Sequence, residues 1–212
     1  MKRKIVVTLN KASIENAINE LNSIKNIFPK ITQEFLMEVA IWITDKANGY
    51  INSADLGSVV KDKIKSSWGY EKTPSGIKIV NKANREKTVG SEKQTIPLAI
   101  LVEFGVGTVG QLQAHPNANS EGYEYNMNSS AKDEDGSWHF FSNEEELDIP
   151  QSAIDWGVNG HGDRNRMSIY TRGAKGVWYA YNAVVDARTE LAKSNGGKIG
   201  ALWNKVLARY FK

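Results

Sequence analysis

Cysteine is absent from the 212-residue chain. The chain therefore cannot form disulfides, thiolate metal sites or cysteine nucleophiles, and the absence fits a reducing compartment. Histidine is almost as scarce, since His115, His139 and His161 are the only three. Imidazole-based catalysis and metal binding thus have few candidate residues.

Long apolar runs are also missing. The basic start MKRK is followed by a run of only three apolar residues, Ile5 to Val7, whereas a secretory signal needs about 7–15. No stretch of the chain approaches the roughly 20 apolar residues of a membrane helix. We expect a protein made in the cytoplasm and kept there or built into something larger. With 41% hydrophobic residues and six tryptophans, the chain can bury a core, and we predict one domain over 1–212.

The net charge of +3 conceals an uneven distribution. The segment 121–163 holds eleven acids and one base, a net charge of −10, while the rest holds 26 bases and 13 acids, a net charge of +13. One interpretation is a solvated acidic excursion on a basic body. The other is that acidic and basic surfaces pair between subunits or with neighbouring proteins.

The N-terminal third has the pattern of helices followed by a hairpin. Apolar residues with helical spacing predict helices near 13–27 and 30–52, or one kinked rod, because Pro29 interrupts the pattern. They are Ile14, Ala17, Leu21, Ile24, Phe28, Ile31, Phe35 and Trp42. Next we predict a loop around Gly57 and a hairpin of 63–70 with 76–81, turned at EKTPSG.

The remainder alternates short elements with irregular chain. We predict a helix over 97–104 opened by Pro97, a loop-rich excursion over about 108–168 and one strand in it near Trp138. A last strand, SIYTRG, precedes helices over 177–194 and 199–211. The fold class is therefore α+β, with N-terminal helices, a small antiparallel sheet and C-terminal helices packed on it.

A search for chemical sites yields weak patterns. His161 and Asp163 can supply two metal ligands, but zinc sites usually take three or four, so a polar loop is favoured over a metal-dependent hydrolase. DEDG at 133–136 lacks the spacing of a calcium loop. GVGTVG at 105–110 matches the bare G-x-G-x-x-G spacing without a predicted βαβ setting. We predict no catalytic residue, cofactor or metal.

Basic residues cluster around the predicted hairpin, with Trp68 and Tyr70 between them. Such a patch can follow phosphates and stack bases, although exposed strand edges also use lysines to discourage pairing. Nucleic-acid binding is therefore our alternative function. The patch comprises Lys61, Lys63, Lys65, Lys72, Lys78, Lys82, Arg85 and Lys87.

Three segments resemble, in their order, the neck and tail-completion proteins of long-tailed bacteriophages, including minor tail protein Z-like proteins. In that family a helix ends in VEFGTG, a tryptophan strand follows, and T-x-G-x-x-x-x-x-F-x-x-x-A opens the last helix. The matching residues are Val102, Glu103, Phe104, Gly105 and Gly107, then Trp138, then Thr171, Gly173, Tyr179 and Ala183. The chain departs from the family at Val106, where Thr is preferred, and in its long acidic excursion.

The resemblance implies a non-catalytic virion protein, assembled in the host cytoplasm, at the head–tail junction. It implies a homo-oligomeric ring around the DNA channel that contacts connector or head-closure proteins and tail proteins, with no membrane. Glu103 then has a structural role and fixes the turn of the chain at the end of its helix. We expect Phe104 to anchor the helix end, Gly105 and Gly107 to permit a reversal, and Glu103 to accept hydrogen bonds from loop backbone or from an arginine such as Arg172.

Overall fold

The structure is a computed structural model that describes residues 10–89, 92–125, 138–142, 167–171 and 173–211. Its fold class is α+β, as predicted, with a long N-terminal helix, two-stranded antiparallel sheets and C-terminal helices packed against the first helix. The helices are α1 (Lys11–Ser53), α2 (Ser58–Lys65), α3 (Leu98–Phe104), α4 (Gly107–Leu112), α5 (Tyr179–Ala192) and α6 (Gly197–Tyr210). The strands are β1 (Trp68–Thr73), β2 (Gly76–Asn81), β3 (Arg85–Val89), β4 (Glu92–Ile96), β5 (Gly105–Val106), β6 (Trp138–Ser142), β7 (Met167–Thr171) and β8 (Gly173–Lys175).

The chain divides into two compact units. The first contains residues up to 43, the tip of the β1–β2 hairpin at 70–79, and 184 onward. The second contains 44–69 and 80–183. No helix in the described part of the chain combines the length and the apolar character that a membrane crossing requires.

Helix α1 is one continuous helix of 43 residues with Pro29 inside it. Of the two predicted arrangements, the pair of helices is wrong and a single rod is confirmed, while the kink predicted at Pro29 stays a prediction. Proline lacks the N–H that would bond to the carbonyl four residues earlier and so costs about 3 kcal/mol in a helix interior. Packing offsets this cost, since Ile31, two residues beyond the proline, is fully buried.

In the first unit, α6 packs against α1 through aromatic rings. The ring of Trp203 meets those of Phe28 and Phe35 edge-on, with centroids 6.2 and 5.0 Å away. Val206, one turn further along α6, is fully buried. The apolar face of α6 therefore docks on α1, whereas the sequence predicted packing across a sheet.

Two corrections concern the hairpin region. Residues 63–65, predicted as strand, end helix α2, because Ile64 is fully buried and α2 presents it to the interior. The β1–β2 hairpin itself is confirmed at 68–73 and 76–81. A second hairpin, β3 with β4, was missed: Arg85 pairs with Ile96 and Glu86 with Thr95 in strands whose polar composition gives little sequence signal.

The C-terminal elements follow the predictions closely. Strand β6 contains Trp138, helix α5 covers most of 177–194, and α6 covers nearly all of 199–211. The prediction of loop-rich chain from about 108 onward was wrong for 108–112, which belong to α4. Most of the acidic excursion lies outside the described residues, so its loop-rich character there stays a prediction.

Candidate functional site

The second unit contains a buried carboxylate at the end of α3. Glu103 is 7% exposed. Its Oε2 accepts a hydrogen bond from the backbone N–H of Ala180 at 2.9 Å, and its Oε1 accepts one from Tyr181 at 2.9 Å. These N–H groups belong to the first turn of α5, where a helix has unpaired donors and a partial positive charge. Glu103 therefore caps α5 from outside that helix.

His115 is the third donor to this carboxylate. Its Nε2 lies 3.1 Å from Oε1 of Glu103, and its Nδ1 accepts a hydrogen bond from the backbone N–H of Asn117 at 3.0 Å. A nitrogen that accepts a hydrogen bond carries no proton, so the proton of a neutral ring must be on Nε2. His115 is thus a neutral ring that donates to Glu103, and its side chain is 3% exposed.

A chain reversal surrounds the carboxylate. Gly105 has φ of 84°, a conformation that favours glycine, and it pairs with Lys175 in the β5–β8 ladder. Gly176 follows, and a Cβ there would lie 2.6 Å from the carbonyl carbon of Phe104 and closer still to the carbonyl oxygen of Glu103. Only a glycine at 176 lets the chain pass the end of α3 this closely.

The backbone after Gly176 is fastened to α3 as well. Val177 donates its N–H to the carbonyl of Val102 at 2.8 Å, and Trp178 donates to that of Glu103 at 3.2 Å. Trp178 has φ of 55°, a left-handed conformation that is strained for a bulky residue. The bonds to α3 hold this residue in place directly before α5 begins.

Aromatic rings enclose the Glu103–His115 pair. Phe104 stacks on Tyr123 at 4.6 Å between centroids and lies 4.4 Å from the ring of His115. The hydroxyl of Tyr123 donates to the carbonyl of Gly105 at 2.6 Å, and burial raises the pKa of this phenol. Burial raises the pKa of Tyr179 more strongly, with Glu103 adding to the effect; its hydroxyl donates to the carbonyl of Ala99 at 3.0 Å.

The chemistry open to this cluster is limited by its saturation. A general base must reach a substrate proton, but both nitrogens of His115 and both oxygens of Glu103 are already engaged in buried hydrogen bonds. Among the residues that the structure describes, no three His, Asp or Glu side chains come together as metal ligands would. These hydrogen bonds hold the end of α3, the 115–117 turn and the first turn of α5 together.

In the structure, the first and the second of the three resembling segments each contact the third. Segment one meets segment three where Gly105 pairs with Lys175 and where Glu103 caps α5. Segment two meets segment three where Trp138 lies opposite Thr171 in the β6–β7 ladder. The remaining residues occupy these elements: Val102 and Phe104 in α3, Gly107 at the start of α4, Gly173 in β8, and the buried Tyr179 and Ala183 in α5.

The predicted basic patch is distributed over both units. Lys61, Lys63 and Lys65 in α2, Lys82 after β2, and Arg85 and Lys87 in β3 belong to the second unit, while Lys72 and Lys78 belong to the first. Trp68 donates its Nε1–H to Oδ1 of Asn48 at 2.9 Å and meets Tyr179 edge-on at 5.9 Å. The ring of Trp68 therefore packs within the second unit.

Several candidates lie outside the described residues. They are the His161–Asp163 pair, the DEDG turn at 133–136, and Arg172, the suggested cation for Glu103. Glu103 is a hydrogen-bond acceptor as predicted, but its donors are the first turn of α5 and a histidine. His115 was missed because it falls in the predicted loop-rich excursion over about 108–168, where a lone histidine gives no signal of burial.

Comparisons with protein-family models, curated proteins and solved structures find no match to this chain.

Proposed function

We propose that the chain is a structural, non-catalytic subunit of the head–tail neck or tail-completion ring of a long-tailed phage or a phage-tail-like particle. The ring would be a homo-oligomer around the DNA channel, between connector or head-closure proteins and tail proteins. Its subunits would be joined by heterologous contacts, in which one surface meets a different surface on the neighbour.

The observation that carries this proposal is the hydrogen bonding of Glu103 to the start of α5. The residues that carry the resemblance are far apart in sequence, yet Glu103 of the first segment binds the backbone of Ala180 and Tyr181, beside Tyr179 of the third. If these residues were matched by chance, nothing would require them to form one hydrogen-bonded unit. Their joint role in fixing α5 against α3 supports a shared architecture.

A buried carboxylate such as Glu103, with both oxygens already hydrogen-bonded, suits an assembly protein. A ring subunit must present its surfaces in a fixed geometry, because small angular errors accumulate around a closed ring. The three hydrogen bonds to Glu103 and the close passage of Gly176 rigidify the second unit without leaving a reactive group exposed.

Closed rings are the direct test. The purified chain should give one assembly mass that is an integer multiple of the subunit mass in mass photometry, and rings with a central opening in negative-stain electron microscopy. Adding tail-tube protein from the same genome should yield tubes capped by these rings. A chain that stays monomeric at high concentration and does not bind tubes would contradict the proposal.

Nucleic-acid binding is the competing function, and salt dependence separates the two. The exposed Lys63 and Arg85 of the second unit are the residues to neutralise, with the exposed Lys11 of α1 as the matched control. If affinity for DNA falls steeply with salt and Lys63→Gln with Arg85→Gln reduces that slope by about 2, while Lys11→Gln does not, the competing function is favoured.

A further inference from the structure

The first half of α1 carries an apolar stripe that remains exposed in the first unit, although Phe28 at its end also meets the ring of Trp203 edge-on. The exposed fractions are 42% for Ile14, 51% for Ile18, 55% for Leu21 and 49% for Phe28. A neighbouring stripe on the same helix is used internally, since Ala17 is 9% exposed and Ile31 is fully buried. We call the exposed set of Lys11, Ile14, Ile18, Leu21, Lys25 and Phe28 the outer seam.

The outer seam has the spacing of a coiled coil. From Lys11 its members follow at intervals of three, four, three, four and three residues, the a/d spacing with which one helix packs along another. Lys11, Ile18 and Lys25 take the a positions, and Ile14, Leu21 and Phe28 take the d positions. Scattered surface apolar residues need no explanation, but four apolar residues in one a/d register, with lysines at the two remaining a positions, favour a helical partner.

We propose that the partner is a second copy of this chain, with the outer seams of the two copies packed antiparallel. In a parallel pair a residues face a residues, so Lys25 would meet Lys25 and Lys11 would meet Lys11, and like charges would repel. In the antiparallel pair centred between Ile18 and Leu21, a residues face d residues, so no lysine faces a lysine.

Charge also fits the antiparallel arrangement. Lys25 lies opposite Ile14 of the second copy. The residue next to Ile14 is Glu15, whose side chain is 60% exposed and pairs with Lys11 of its own chain at 4.0 Å, and we expect its carboxylate to attract Lys25 as well. Lys11 lies opposite Phe28 of the second copy, where a cation can approach the ring face. The 18 paired residues span about 27 Å, so the contact is short and the dimer should depend on protein concentration.

Cysteine crosslinking can distinguish antiparallel from parallel pairing. Introduced cysteines are then the only thiols present, because the chain has none of its own. A mixture of Ile14→Cys and Lys25→Cys chains should form a disulfide-linked dimer under mild oxidation. Neither variant alone should do so, since like positions are then about 16 Å apart along the axis. Crosslinking of Ile14→Cys with itself would indicate parallel pairing and overturn the proposal, and so would the absence of any crosslink.

Sedimentation velocity of the full chain tests the seam itself. Ile18→Asn with Leu21→Asn should raise the dimer dissociation constant at least tenfold. Ile41→Asn is the matched control, because Ile41 is 43% exposed on the same helix but lies about 180° away from Ile14. Equal effects of the two changes, or a monomeric wild type, would overturn the proposal. Rings that persist in the Ile18→Asn, Leu21→Asn variant would support the proposed function, whose heterologous contacts differ from this isologous pairing. An unchanged dimer dissociation constant in the same variant would overturn the pairing alone.

Discussion

Glu103 shows how a carboxylate can be buried without a neighbouring arginine or lysine among its described contacts. Burial of an ionised group is costly unless hydrogen bonds replace the lost water. Here two backbone N–H groups at the start of α5 and the Nε2–H of His115 supply them. The helix end adds its partial positive charge to these bonds.

The first prediction concerns Glu103→Gln. The amide keeps the shape of the side chain but replaces one acceptor oxygen with an N–H donor, which would face another donor. We expect a loss of about 1–3 kcal/mol in unfolding free energy, measured by urea denaturation. Glu121→Gln, on an exposed glutamate of the same unit, should change it by less than about 0.5 kcal/mol. Equal losses of unfolding free energy in the two variants would contradict this role of Glu103.

Two glycines provide the second prediction. Gly176→Ala should destabilise the protein by about 1–3 kcal/mol or more, because the new Cβ meets the backbone of residues 103 and 104. Gly49→Ala, within α1 and with no atom within 4 Å of the new Cβ, should stabilise it by about 0.5–1 kcal/mol. Thermal unfolding of both variants measures the difference. A Gly176→Ala protein as stable as wild type would refute the close approach.

At the scale of elements, α1 combines good packing with a poor backbone choice. Pro29 removes one helical hydrogen bond, yet the helix continues on both sides. Aromatic contacts on that stretch, Phe28 and Phe35 with Trp203, stabilise the helical conformation. Tertiary packing thus overrides local propensity here.

The third prediction is that Pro29→Ala stabilises the protein. Restoring the N–H and removing the ring clash should raise the unfolding free energy by up to about 3 kcal/mol. Asn26→Ala, at an exposed position three residues earlier, measures the gain in helix propensity alone and should give no more than about 0.5 kcal/mol. If the proline variant gains no more than this control, the proline is not a strained site.

A charge cluster joins α6 to α1 in the first unit. Arg209 contacts Oε1 of Glu38 at 2.6 Å and Lys205 contacts Oε2 at 3.3 Å. The hydrogen bond from Arg209, assisted by Lys205, lowers the pKa of Glu38 below its usual 4.5, although partial burial opposes the shift. Tyr210 also donates to Glu34, and this bond raises the pKa of the phenol.

The fourth prediction is a pH dependence that follows from Glu38. Because its folded pKa is lowered, its stabilising contribution is present above the unfolded pKa near 4.5 and is lost as pH falls through the folded value. The difference in melting temperature between wild type and Glu38→Gln should therefore be largest at neutral pH and should shrink on acidification below about 4.5. A difference that does not change with pH would contradict this role. Asp45→Asn, on an exposed aspartate of the same helix, is the control.

At the scale of the whole molecule, charge is divided between a segment of net −10 and a body of net +13. Complementary surfaces of this kind strengthen association mainly at low ionic strength. The fifth prediction is that replacing Glu144, Glu145 and Glu146 with Gln weakens self-association at low salt and flattens its dependence on salt. The dissociation constant measured across a salt series decides this, and coinciding slopes for variant and wild type would refute it.

The sequence by itself determined the helices at both ends, the β1–β2 hairpin and the helix that ends at Phe104, because apolar periodicity, Pro97 and the EKTPSG turn are local signals. It also indicated that Glu103 accepts hydrogen bonds. Only the tertiary structure decided that α1 continues through Pro29, that 107–112 is helical, and that His115 and the start of α5 are the donors to Glu103. Those outcomes depend on contacts between residues far apart in the chain, 78 positions for Glu103 with Tyr181 and more for Phe28 with Trp203, and no local pattern encodes such contacts.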